Sequence, residues 1–129
     1  MWRLRGISVL WMIVYMDASI GLKGANLDKL RQMSYLIRVV GLPTICMGDW
    51  NMTKEELNAK GWCSDLNITP VIPDNTEFTC KKMPRRMIDY FLVSDKFLGM
   101  ISRCSADMAS PWEPHFGVEL EIRREHHWR

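Results

Sequence analysis

Three short stretches of this 129-residue chain carry polar side chains where a protein can use them for chemistry. Asp49 and Asn51 lie in Gly48-Asp49-Trp50-Asn51, just past the apolar run Thr44-Ile45-Cys46-Met47. Open α/β sheets collect catalytic groups there, because a strand fixes the position and the following turn leaves the side chain accessible. An Asp-x-Asn pair can align water or a metal ion with the carboxylate and bind a phosphate oxygen with the amide; its bland reading is an Asx-turn closing the strand. Asp89 interrupts the apolar run Met87-Ile88-Asp89-Tyr90-Phe91-Leu92-Val93, where an ionised carboxylate is costly to bury without a partner. A salt bridge to Arg85 or Arg86 is one expectation, and an orienting contact to a histidine is the other. His115, in Pro114-His115-Phe116-Gly117, is either a packing residue or an acid, base or phosphate donor placed at a strand start.

The elements that position these groups follow from apolar patterning. Ile7–Tyr15 is nearly continuous in β-favouring residues, as in a strand covered on both faces. Together with the basic Met1-Trp2-Arg3-Leu4-Arg5 before it, this run has some character of a signal peptide, but Asp17 breaks it and no small-x-small cleavage site follows. The stretch is also well short of the roughly 20 residues that a membrane span needs. Leu27, Leu30, Met33, Ile37 and Val40 recur at helical spacing, with Asn26 expected as N-cap and Gly41 and Pro43 as the stop. The run from Thr44 to Met47 then reads as a second buried strand, which gives a βαβ rhythm. Thr53 and Glu56 form a capping-box pattern predicting a helix over 54–60, and a strand is expected over 68–72 within an otherwise loop-rich 64–84. Strands are also expected over 87–93 and 117–123.

Composition narrows the classes. With 17 Lys and Arg against 15 Asp and Glu the net charge is +2, which lacks the broad basic excess of a general polyanion-binding module. The length suits one domain, residues 1–129, with 124–129 as a solvated tail. Cys46, Cys63, Cys80 and Cys104 include no close pair, so structural zinc is not expected and four free thiols in a reducing, intracellular compartment are. Lys81, Lys82, Arg85 and Arg86 form the one basic run outside the tail, a solvated loop face or a weak phosphate contact.

Taken in order, Gly48-Asp49-Trp50-Asn51, Arg86-Met87-Ile88-Asp89-Tyr90-Phe91-Leu92-Val93-Ser94 and Pro114-His115-Phe116-Gly117-Val118 resemble the late motifs of the endonuclease/exonuclease/phosphatase superfamily, the DNase I-like fold. The resemblance runs over residues 7–123. It implies an α/β fold, half of a four-layer α/β sandwich, with one mixed sheet and helices on one face. It implies the C-terminal half of a metal-dependent phosphodiesterase or endonuclease that hydrolyses phosphoester bonds in nucleic acid or a related substrate, incomplete as a catalyst on its own. The alternative is a non-catalytic remnant of the fold acting as a binding or interaction module.

Carried over by residue, the resemblance makes Asp49 the group that orients or deprotonates water and ligates Mg²⁺ or Mn²⁺. Asn51 binds the phosphate, His115 stabilises its developing charge, Asp89 supports His115, and Tyr15 contacts phosphate. Two departures accompany it. The family's metal-holding glutamate and neighbouring asparagine belong to the half without a counterpart here, and Pro114 stands where the family has an Asp. A half sandwich would also expose an apolar sheet face, which predicts self-association or a partner chain that covers it.

Overall fold

The computed structural model describes residues 2–4, 6–109 and 114–123, with the side chains of 2–4 left aside. Residues 110–113, which include Glu113, and the tail 124–129 lie outside the described residues. Seven strands and three helices follow in the order β1 (Trp2–Leu4), β2 (Ile7–Tyr15), α1 (Gly24–Val40), β3 (Thr44–Asp49), α2 (Lys54–Leu57), α3 (Trp62–Asp65), β4 (Ile68–Val71), β5 (Asp89–Ser94), β6 (Ile101–Asp107) and β7 (Gly117–Ile122), with a 3₁₀ helix over Asp95–Met100.

The main sheet has the order β1-β2-β3-β5-β4. β2 and β3 run parallel and are joined through α1, whereas β3–β5, β5–β4 and β1–β2 are antiparallel. All three helices pack on one face. There Leu30 and Met33 of α1, Leu57 of α2 and Cys63 of α3 meet Cys46 and Leu92 of the sheet. The opposite face carries Val9, Ile45, Phe91 and Val93, and a separate two-stranded sheet, β6–β7, lies against it through Cys104, Val118 and Leu120. The expected mixed sheet with one-sided helices is therefore present, and β6–β7 adds the beginning of a second sheet.

Three local differences from the sequence expectations have physical causes. Asn26 is not the cap of α1, which starts after Lys23 with no side-chain cap. Its amide is fully buried instead: Oδ1 accepts from Asp17 N (2.8 Å), and Nδ2 donates to Asp17 O and Gly21 O (2.9 Å each). The loop leaving β2 would otherwise bury these backbone groups without partners, and an amide with both donors and an acceptor satisfies them together. α1 stops as expected at Gly41, whose φ of 67° lets its N–H return to Ile37 O. The capping box of α2 also forms, with Thr53 Oγ1 accepting from Glu56 N and Glu56 Oε1 from Thr53 N, but the helix closes at Leu57. Finally, β6 has no counterpart among the expected strands, because Ile101-Ser102-Arg103-Cys104-Ser105-Ala106 buries only Cys104 and Ala106.

Candidate active site

The Gly48-Asp49-Trp50-Asn51 turn assigns each of its residues a different task. Gly48 stands opposite Tyr90 across the β3–β5 ladder, on the helix face. The Trp50 indole folds back over Gly48 so closely that a Cβ there would overlap the ring. Trp50 is fully buried, stacks on Tyr90 (centroids 5.8 Å apart) and donates from Nε1 to Tyr90 O (3.0 Å). With Trp50 anchored on one face, alternation along the strand turns Asp49 to the other. Asn51 takes a left-handed φ of 49°, and its N–H donates to Asp49 Oδ1 (3.3 Å). That is the Asx-turn, and it holds the carboxylate in place rather than competing with a functional role. Asn51 Nδ2 donates to Met16 O (2.6 Å), which ties the turn to the end of β2.

Asp89 begins β5 directly opposite Asp49, so both carboxylates leave the same face of adjacent strands. Asp89 is buried, and neither Arg85 nor Arg86 pairs with it. Arg86 is paired with Glu56, and the Arg85 guanidinium lies over the Phe78 ring at 4.9 Å. Its partners are Thr79 and His115. Thr79, itself fully buried, accepts on Oγ1 from Ile88 N (3.0 Å) and Asp89 N (2.9 Å) and donates to the Asp89 carboxylate. His115 Nδ1–H donates to Asp89 Oδ2 (2.7 Å), and Nε2 stands 3.9 Å from Asp49 Oδ2. The ligand atoms of Asp49, Asp89 and His115 all lie within 4.8 Å of one another.

The segment bearing His115 is also held through its backbone. Cys80 bridges to both Arg86 and His115, Lys81 N donates to Pro114 O (2.8 Å), and Phe116 N donates to Thr79 O (2.8 Å). Thr79 and its neighbours therefore join the two segments that meet at the site. The sequence reading passed over Thr79 because it sits in a loop-rich stretch, and no local pattern marks a residue whose partners are nine or more positions away.

Electrostatics follow from this crowding. Burial pushes the Asp49 carboxyl above its ordinary range, and the facing Asp89 carboxylate pushes it further, against the opposing pull of His115 and the Asn51 N–H. Burial also raises Asp89, offset in part by hydrogen bonds from His115 and Thr79. Two carboxylates opposed on a ladder repel one another, and a cation or an imidazolium between them relieves that repulsion.

Tyr15 is paired in register with Asp49 and emerges on the same face at the end of β2, 64% exposed. The structure thus gathers Asp49, Asp89 and His115, places Asn51 at their edge, and sets Tyr15 one strand away. The four cysteines are all free and buried, and burial pushes the Cys63 thiol up to about 11 and those of Cys46 and Cys104 up to about 12. None contributes to the site.

No family model and no curated protein sequence matches the chain. Solved structures do. The endonuclease domain of TRAS1, a telomere-specific non-LTR retrotransposon, superposes with a TM-score of 0.65 at 17% identity, over 84% of this chain and 55% of that one. The fold is a partial DNase I-like domain. The 3′ phosphatase NExo from Neisseria gives 0.61 at 14% identity, over 86% of this chain and 60% of its own. The human Nocturnin catalytic domain gives 0.52 at 16%, over 85% and 47%. Against these DNase I-like neighbours, the chain spans about half to three-fifths of their length.

Proposed function

We propose that this chain supplies the second half of a metal-dependent phosphoester hydrolase acting on nucleic acid, and that it completes its site with residues outside those described. The convergence of Asp49, Asp89 and His115 on one rim carries the reading. Two of the DNase I-like neighbours, the TRAS1 endonuclease domain and NExo with its DNA hairpin, support a nucleic-acid substrate. The loop over residues 81–86 supports it independently, because it sets Lys81, Lys82 and Arg85 beside the His115 segment, where a strand of phosphates entering the rim would pass.

The donor set suits a hard divalent cation in part. Asp49 offers carboxylate oxygens that already suffer from a neighbouring negative charge, and Asn51 adds an amide oxygen at the rim. Mg²⁺ prefers six oxygen ligands, some of them water, so Asp49 would be one protein ligand among several. Such an ion supplies positive charge to the phosphate oxygens as the transition state develops. Asp49 holds the attacking water and takes up its proton as the new P–O bond forms and the bond to the leaving oxygen breaks. Its raised affinity for protons suits that role. Asn51 Nδ2 turns from Met16 O to a phosphate oxygen. His115, with Nδ1–H on Asp89, presents Nε2 to the scissile phosphate, and the Asp89–Thr79 pair keeps the ring oriented. Tyr15 lies where it can touch a flanking phosphate.

A binding module that has lost catalysis is the second reading, favoured by the partial coverage of the solved structures. Supercoiled-plasmid nicking with Mg²⁺ or Mn²⁺ separates the two. Nicking that is abolished by EDTA and by Asp49→Ala and His115→Ala supports the hydrolase. Salt-sensitive DNA binding without nicking supports the module, and nicking that survives Asp49→Ala rejects the site.

A further inference from the structure

We propose that Asn26, a fully buried residue of α1, is a positioning residue for Asn51: by fixing the Met16–Asp17 peptide it sets the orientation from which the Asn51 amide reaches a phosphate. Its consequence for catalysis rests on the hydrolase reading of the rim, whereas the coupling between the two amides can be measured without any activity.

The peptide unit that leads out of β2 lies between two side-chain amides. Its N–H, that of Asp17, donates to Asn26 Oδ1 (2.8 Å), and its carbonyl, that of Met16, accepts from Asn51 Nδ2 (2.6 Å). This peptide is trans, and the N–H and C=O of a planar trans peptide point in opposite directions. With the N–H drawn to Asn26, the carbonyl points away from α1 and towards Asn51. Hydrogen bonds in such a chain polarise one another, so the Asn26 bond also makes Met16 O a better acceptor. Met16 N donates to Asp49 O (2.9 Å), and the Met16 side chain is sealed in the core. Rotation of this one peptide is therefore the freedom that Asn26 removes.

The loop cannot hold that peptide by itself. Residues 17–20 are exposed, so packing contributes little, and Ser19 takes a left-handed φ of 76° that a non-glycine residue keeps only where its surroundings over-determine it. Asn26 supplies that constraint. Its Nδ2 donates to Asp17 O and Gly21 O (2.9 Å each), which ties together the two ends of the turn around Ser19. The remaining atom of the same amide, Oδ1, holds the peptide that Asn51 touches. Without it the Met16 carbonyl swings off Asn51 Nδ2, and the amide loses its fixed starting point beside Asp49. The misplacement then falls on phosphate positioning and charge stabilisation at the rim.

The test uses the full chain and reads the amides and the nicking separately. In the ¹⁵N-labelled wild type, hydrogen exchange at Asn51 Nδ2 and at the Asp17 N–H should be slowed by about tenfold or more relative to an open loop amide. Asn26→Ala should release both, and the Trp50 indole resonance checks that the variant is folded. In plasmid nicking Asn26→Ala should cost about tenfold or more, in kcat rather than KM. In an Asn51→Ala background the same substitution should cost less than about twofold, because the residue it acts through is gone. Asn26→Ser, too short to reach Asp17 but able to hold water in the vacated space, repeats the cycle should Asn26→Ala fail to fold. Equal losses in both backgrounds overturn the proposal, as does a loss that only tracks the unfolded fraction. Absence of nicking in the wild type rejects the hydrolase reading instead, and the amides then decide alone: release of Asn51 Nδ2 by the Asn26 substitution upholds the coupling, and an Asn51 amide indifferent to it, or unprotected in the wild type, overturns it.

Discussion

The two faces of the main sheet are built from residues of similar hydrophobicity and come out differently. On the helix face Met16, Cys46, Trp50, Tyr90 and Leu92 are sealed beneath α1, α2 and α3, and each polar atom of the Trp50–Tyr90 pair finds a partner: Nε1 on Tyr90 O and the Tyr90 hydroxyl on Met52 O. Among the described residues, the opposite face is sealed where β6–β7 lies over Val9, Ile45, Phe91 and Val93. Beyond it Trp11 is 38% exposed, Ile13 78% and Tyr15 64%. The closed face therefore carries the larger sealed core, while the half-closed face presents the Asp49–Asp89–His115 rim beside exposed apolar side chains. The sealed core and the proposed site thus lie on opposite sides of one sheet.

The largest effect that would break this contrast is at Trp50. Trp50→Ala removes a fully buried indole, its stacking and its hydrogen bond, and should cost about 3–5 kcal/mol, read as a fall in the denaturation midpoint. Gly48→Ala should be nearly as damaging through the opposite fault, because the added methyl meets the indole. The double variant Gly48→Ala/Trp50→Ala should be less unstable than the sum of the two, since each substitution removes part of the other's problem. Additive costs would mean that the closed face does not depend on this packing.

That same packing shows why part of the site was legible in the sequence. Gly48, Asp49, Trp50 and Asn51 act through contacts within a few residues and one neighbouring strand, so their spacing carries the information. Asp89 was visible because a carboxylate within an apolar strand demands a partner, but the partner was not. Arg85 and Arg86 were nearer in sequence, yet they are engaged by Phe78 and Glu56, and His115 arrives from 26 residues away. Thr79 and β6 were hidden for a related reason, since their roles depend on which distant segment lies beside them. Asn26 misled because an amide near a helix start serves equally well as a cap or as a buried clamp, and only the path of the loop from Asp17 to Gly21 decides between them.

Next in size is Thr79, where the two faces communicate through β5. Thr79→Val keeps the volume but leaves the Ile88 and Asp89 N–H groups without an acceptor, at about 1–3 kcal/mol. Thr79→Ser should restore most of it. If His115 is oriented through Asp89, the valine variant should also lose nicking activity well beyond its loss of folded protein at the assay temperature. Equal losses in stability and activity would reduce Thr79 to a structural role.

A smaller effect is expected at the cap of α2, on the closed side. Thr53→Ala should cost about 1 kcal/mol. Glu56 is held below its ordinary carboxylate value first by the Thr53 N–H and then by Arg86. A lowered value means that the folded state favours the ionised form, so this contribution is present above the unfolded carboxylate range and fades as the pH falls through the lower, folded one. Glu56 is largely exposed, so a few tenths of a kcal/mol is its expected share. Thermal melts of wild type and Glu56→Gln should differ at pH 7 and converge in acid. A difference that grows on acidification would contradict the capping box as the source.

The smallest effect is the most informative about the open face. Ile13→Ser replaces a large apolar side chain in the middle of a strand, a change that would be severe on the helix side. At 78% exposure, however, the isoleucine buries little that serine would lose, and the strand's ladder to β3 runs through the even-numbered residues on either side of it. A cost within about 0.5 kcal/mol is expected, with a gain in solubility because an apolar patch is interrupted. If Ile13→Ser instead destabilised the chain by several kcal/mol, Ile13 would have to be buried in solution, and the open face would already be occupied.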